Sequence, residues 1–105
     1  MVRKVLKRLE DLNTKGCLWM YILRILSDRP VHAYTLRREI ERRFGFRPGT
    51  VTAYRVLYSL TSGGFVTKKS EGRRKVYRIT GKGRDELREA VRFYKKQVSV
   101  LSSAI

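Results

Sequence analysis

Gly49-Thr50-Val51-Thr52-Ala53-Tyr54-Arg55-Val56-Leu57-Tyr58-Ser59-Leu60-Thr61-Ser62-Gly63-Gly64 is the stretch on which the reading of this chain turns. At 100° per residue, Ala53, Val56, Leu57 and Leu60 fall within about 100° of arc, which makes one buried helical stripe. The opposite side carries Val51, Arg55, Tyr58 and Ser62, flanked by Thr52, Tyr54 and Ser59. Hydroxyls, tyrosines and one arginine suit a polar groove better than plain solvation. Gly63-Gly64 ends this helix. Phe65-Val66-Thr67-Lys68-Lys69 and Lys75-Val76-Tyr77-Arg78-Ile79 follow. Their β-branched and aromatic content reads as two strands, with a turn from Ser70 to Arg74 around Gly72. Thr80-Gly81-Lys82-Gly83 then opens a last helix.

Upstream of this stretch, Val31-His32-Ala33-Tyr34-Thr35 leads into a helix whose Leu36, Ile40 and Phe44 form a buried stripe. Arg37, Arg38, Arg42 and Arg43 lie off that stripe, and Glu39 and Glu41 share the helix and can pair with some of them. Gly45-Phe46-Arg47 is the turn, and Pro48 suits the first position of the next helix. From Arg42 to Arg84 there are twelve Lys or Arg and one acid, Glu71. A helix pair followed by a basic hairpin is the pattern of a winged helix-turn-helix, which offers one helix to the major groove of duplex DNA. The fold class expected is mainly α with a small β-hairpin.

The ends of the chain carry a different signal. Val2, Val5, Leu9 and Leu12 make an apolar seam on an N-terminal helix. Asn13-Thr14-Lys15-Gly16 breaks it, and Cys17 to Leu26 is apolar on almost every side, so that helix is central and buried. Ser27-Asp28-Arg29-Pro30 stops it, because a residue before proline is pushed out of helical geometry. In the last helix Leu87, Val91, Tyr94, Val98, Leu101 and Ile105 alternate four, three, four, three, four. This is a heptad seam. It runs past the point where a small winged domain has core left to offer. The two seams predict a homodimer held by the terminal helices; the plainer alternative is a frayed tail. We divide the single domain of residues 1–105 into an N-terminal helix (1–13), a winged core (14–80) and a C-terminal dimerisation helix (81–105).

Composition narrows the function. The chain has 105 residues and a formal net charge of +16. A surface so basic repels itself and seeks polyanions, with duplex DNA first. No apolar run approaches the roughly 18 residues of a membrane span. The N-terminus lacks an apolar signal core, so a cytoplasmic location and no membrane partner are expected. Cys17 is the only cysteine and is expected in the core. His32 is the only histidine and has no Cys or carboxylate partner at metal spacing. It is expected to cap or pack. Neither a metal nor a cofactor is expected. No nucleophile-base order, carboxylate pair or phosphate-cradling glycine loop is present, and an enzyme is not expected.

Thr50, Thr52 and Arg55 are the candidates for base or groove contact, with Tyr54 and Tyr58 at the phosphate flanks. Arg73, Arg74 and Lys75 sit at the hairpin tip with one acid beside them and are expected to grip phosphate or minor groove. The arginine face from Arg37 to Arg43 reads either as phosphate contact or as solvated surface. The leading function is a sequence-specific regulator binding double-stranded DNA. A sequence-independent architectural protein that coats DNA is the alternative, because phosphate contact alone drives such binding. A regulator that also senses an unknown small-molecule effector is a third class. RNA fits less well, since its duplex has a major groove too narrow for a helix.

Three segments together resemble the PadR family of winged-helix transcriptional regulators. They are Ile22-Leu23-Arg24-Ile25-Leu26 with Arg29-Pro30-Val31-His32-Ala33-Tyr34-Thr35-Leu36, then Thr52-Ala53-Tyr54-Arg55-Val56-Leu57-Tyr58-Ser59-Leu60 with Gly64-Phe65-Val66, then Arg73-Arg74-Lys75-Val76-Tyr77-Arg78-Ile79-Thr80 with Gly83. The resemblance covers roughly residues 18–87. It implies a homodimer on a palindromic operator, usually repressing, and DNA contact by Tyr34, Tyr54 and the recognition-helix start. Certain short members bind flat aromatic drugs at the dimer interface through tryptophan; Trp19, the only one here, is expected to be packing. This chain departs from the pattern twice. Ala33 stands where the family often has Gly, and Gly49-Thr50 lies two residues further upstream of Tyr54, so the helix start is lengthened or re-registered.

Overall fold

Leu18, Ile22, Leu23, Ile25 and Leu26 are all almost wholly buried, so the most apolar helix of the chain is the post around which the rest packs. The computed structural model describes the backbone of residues 2–103 and the side chains of residues 4–103. Helix α1 spans Val2–Asn13, α2 Leu18–Leu26, α3 Ala33–Phe44, α4 Thr50–Ser62 and α5 Gly81–Ser102. Strands β1 (Val31–His32), β2 (Val66–Glu71) and β3 (Arg74–Ile79) form one antiparallel sheet in the order β1-β3-β2. Leu36 and Ile40 of α3, Leu57 and Leu60 of α4, and Val66 and Tyr77 of the sheet close on α2. The helix-turn-helix with a basic wing is therefore as expected.

Four details differ from the sequence reading. First, the sheet has a third strand. Val31 and His32 pair with Tyr77 and Val76, which ties the start of α3 to the wing. Two residues are too few for a periodicity to reveal. Second, the wing turn is tighter. Glu71 pairs with Arg74, leaving Gly72-Arg73 as a two-residue loop. Gly72 has φ 63°, the positive value that the first position of a II′-type hairpin turn demands. Third, α4 starts at Thr50 with extended Gly49 as its cap, and Pro48 is buried in the turn before it. Fourth, Cys17 is half-buried and lies outside α2, in a short 3-10 turn at Lys15–Cys17. Ile105, the last residue of the expected seam, lies outside the described residues, as does the Val2 side chain.

Besides the β1–β3 pairing, the base of the wing is fixed to the core at a tight joint. Thr80 Oγ1 donates to Gly64 O at 2.7 Å and accepts from Gly83 N at 3.0 Å, capping α5. Gly83 lies so close to the chain leaving α4 that a Cβ there would stand 2.2 Å from Phe65 O. Only glycine permits that approach. The radius of gyration is 15.2 Å, against about 13 Å for a compact domain of this length.

Candidate nucleic-acid interface

The residues singled out from the sequence fall into two groups in space. Tyr54, on one flank of α4, shares a groove of about 510 Å³ with Tyr34 and Arg38 of α3 and with Arg73, Arg74 and Lys75 of the wing. The β1–β3 pairing makes this possible, because it brings the first turn of α3 beside the wing. Val51 and Tyr58 stand out from α4 at 70% and 73% exposure, and Thr50, Thr52 and Arg55 are also exposed. Arg55 leans to the other flank. There, with Trp19, Val56, Leu60, Phe65 and Glu86, it bounds an apolar hollow of about 430 Å³. Trp19 is half-buried and packs on the core while lining that hollow.

Acids sort the cations. Asp28 accepts from Arg24 at 2.8 Å and from Arg43 at 2.7 Å, and these two hydrogen bonds hold its carboxyl below the usual carboxylate range. Glu39 accepts from Arg42 at 2.6 Å and from Arg29 at 3.2 Å, and the Arg42 bond is the main cause of its lowered pKa. Arg37 donates from Nε to Pro48 O at 3.0 Å and so braces the turn before α4. Three of the four arginines of α3 are therefore occupied. Arg38 is the exception: it lies over the Tyr34 ring at 5.7 Å and has no ion pair among the described residues. The same holds for Arg55, Lys68, Lys69, Arg73, Arg74 and Lys75. Arg38 is a groove residue that the sequence did not separate from its neighbours. The signal that distinguishes it is the position of the acids.

His32 sits at the floor of this groove. Its backbone caps α3, but its side chain makes no cap bond, and Nδ1 is buried without a hydrogen-bond partner. Burial and the nearby Tyr54 push the Tyr77 hydroxyl above its ordinary pKa. No group of His, Cys, Asp or Glu among the described residues could hold a metal ion. No helix among the described residues is long and apolar enough to cross a membrane.

The terminal helices leave their seams open. Val5, Leu6, Leu9 and Leu12 of α1 are each more than half exposed. On α5, Val98 and Leu101 are 64% and 66% exposed and Val91 46%, whereas Leu87 packs on the chain's own core. Tyr94 is half-buried and donates to Asn13 Oδ1 at 2.6 Å, joining the two terminal helices. Burial pushes its hydroxyl pKa up. Phe93 and Val100 are also exposed, on a side of α5 that the heptad does not include.

The fold has solved relatives. A PadR family transcriptional regulator from Eggerthella lenta is 22% identical, with a TM-score of 0.82, covering 98% of this chain and 94% of the other. F93 from STIV, a winged-helix DNA-binding protein, is 23% identical with a TM-score of 0.70, over 81% and 94% of the two chains. Bacillus subtilis PadR, solved in complex with operator DNA, is 23% identical with a TM-score of 0.64, over 70% of this chain and 46% of that one. None of the curated proteins is similar enough in sequence to match. Residues 22–89, from the middle of α2 into α5, match the Transcriptional regulator PadR-like family. This chain belongs to the PadR-like family of transcriptional regulators.

Proposed function

We propose that the protein is a homodimeric repressor that binds a palindromic duplex operator. The observation that carries this reading is the convergence of Tyr34, Arg38, Tyr54 and the wing cations around one groove beside an exposed polar helix. In this reading α4 enters the major groove. Thr50, Thr52 and Arg55 meet base edges, and Tyr54 and Tyr58 meet the flanking phosphates. Arg73, Arg74 and Lys75 hold the backbone from the wing, and their charge is available because no acid among the described residues engages it. Arg38 and Tyr34 add the phosphate next to the wing.

Dimerisation supplies the second half-site. The accessible surface of 7780 Å² exceeds the roughly 6,100 Å² expected of a globular monomer of this size. Exposed apolar side chains of α1 and α5, among them Val5, Leu9, Val98 and Leu101, contribute to it. With Phe93 and Val100 added to Val91, Tyr94, Val98 and Leu101, the apolar arc of α5 spans about half its circumference. That width fits contact with two partner helices rather than one coiled-coil neighbour. A dimer seated on an operator excludes other proteins from it, which is the simplest route to repression.

The architectural reading draws on the +16 charge. It predicts equal binding to any duplex. The test is binding to the protein's own upstream DNA against random DNA of equal length, at about 50 and 200 mM salt. Preference for the upstream DNA that persists at high salt supports the regulator. Equal binding, released together by salt across several genomic fragments, would overturn it in favour of the architectural role.

A further inference from the structure

We infer that Val51 reads the C5-methyl group of a thymine in the operator, which makes it a specificity-determining residue alongside the polar ones. The inference rests on the regulator reading above. Val51 is 70% exposed in the first turn of α4. It stands on the same line of the helix as Arg55, one turn on, and Tyr58, two turns on. Ala53, Leu57 and Leu60, which face the core, are on the other side. Packing therefore does not account for Val51.

Helix stability does not account for it either. A β-branched side chain at an exposed helix position loses χ1 freedom and is a poorer helix former than alanine. Val51 also lies between the Gly49 cap and Tyr54, at the second position of α4. The N-terminal turn of a recognition helix is the part that reaches base edges. A valine there can neither donate nor accept a hydrogen bond. Among the features that A·T and G·C pairs present in the major groove, the thymine methyl is the apolar one. Two methyl groups at the tip of the reading face suit that contact better than any hydrogen-bonding base edge.

The test begins with duplexes selected by the wild-type protein from a random library. Each thymine of the selected operator is replaced singly by deoxyuridine, which removes the methyl and nothing else. One thymine in each half-site should be sensitive, with wild-type binding about four-fold weaker on replacement, the equivalent of one buried methyl group. Val51→Ala should bind the thymine and deoxyuridine duplexes alike while keeping its fold. An operator in which no thymine is sensitive, or in which the sensitivity survives in Val51→Ala, would overturn the inference and leave the regulator reading intact. A selection that yields no preferred sequence would overturn both.

Discussion

Two arginine-rich surfaces lie side by side in this protein and differ in what their charges are doing. On α3, Arg42 and Arg43 are engaged by Glu39 and Asp28, and Arg37 by a backbone carbonyl. On the wing, Arg73, Arg74 and Lys75 meet no acid among the described residues. Read as composition, the two are alike. Read as chemistry, the first is part of the scaffold, tying α3 to Asp28 and Arg29 after α2 and, through Arg37, to the turn before α4, and the second is open to a polyanion. An exposed ion pair adds little to stability, about 0–1 kcal/mol. It does remove a cation from the set that can displace counterions from DNA. The lesson is that a net charge of +16 points to a polyanionic partner, and the few acids sort the cations into those already engaged and those proposed to hold it.

Predictions that break or sharpen this contrast can be ranked by size. The largest concerns the joint that carries the wing. Gly83→Ala places a Cβ 2.2 Å from Phe65 O and should cost about 2–3 kcal/mol of stability. This would be read as a melting temperature lowered by at least about 8 °C. An unchanged melting temperature would mean that the wing is not anchored there. Next, Arg55→Ala should weaken operator binding by about 1–3 kcal/mol and random DNA by much less, as base reading requires. Equal losses on both would assign Arg55 to the backbone. Arg38→Ala is smaller and uniform. It should lower the slope of log affinity against log salt by about 0.9 on every sequence, one phosphate's worth. Arg42→Ala combined with Arg43→Ala should leave that slope unchanged, although twice as many charges are lost.

The acids give the smallest effect. Asp28 and Glu39 are held below the ordinary carboxylate range when folded. The unfolded chain therefore takes up more protons in acid, and the stabilisation is present above that range and fades as pH falls through and below it. Thermal melts in low salt should show a loss below about pH 4 that is reduced in Asp28→Asn. An identical acid profile in the variant would remove Asp28 from the account.

The helix-turn-helix and the wing were legible because their signals are local: the stripe Ala53, Val56, Leu57 and Leu60, the Gly63-Gly64 stop, and the β-branched runs around Gly72. The start of α4 was legible to within a residue from Pro48-Gly49-Thr50. What the sequence did not disclose is non-local. Asp28 neutralises Arg43 across 15 positions, and Val31-His32 becomes a strand only because β3 is there to pair with it. The distinction between Arg38 and its neighbours follows from these contacts, as does the placing of Tyr34 beside the wing. The heptad on α5 found Val98 and Leu101 but not Phe93 and Val100, because a single seam assumes a single partner face.

The central claim is that the wing cations, with Arg38 beside them, and not the acid-engaged Arg42 and Arg43 of α3, grip the DNA backbone. The most direct measurement is the salt dependence of duplex binding for the wild type, for the triple variant Arg73→Ala, Arg74→Ala, Lys75→Ala, and for the Arg42→Ala, Arg43→Ala pair. The account predicts that the triple variant loses about 2.7 from the slope, three phosphates at about 0.9 each, and that the pair loses nothing. A slope that falls in the pair and holds in the triple variant would contradict it.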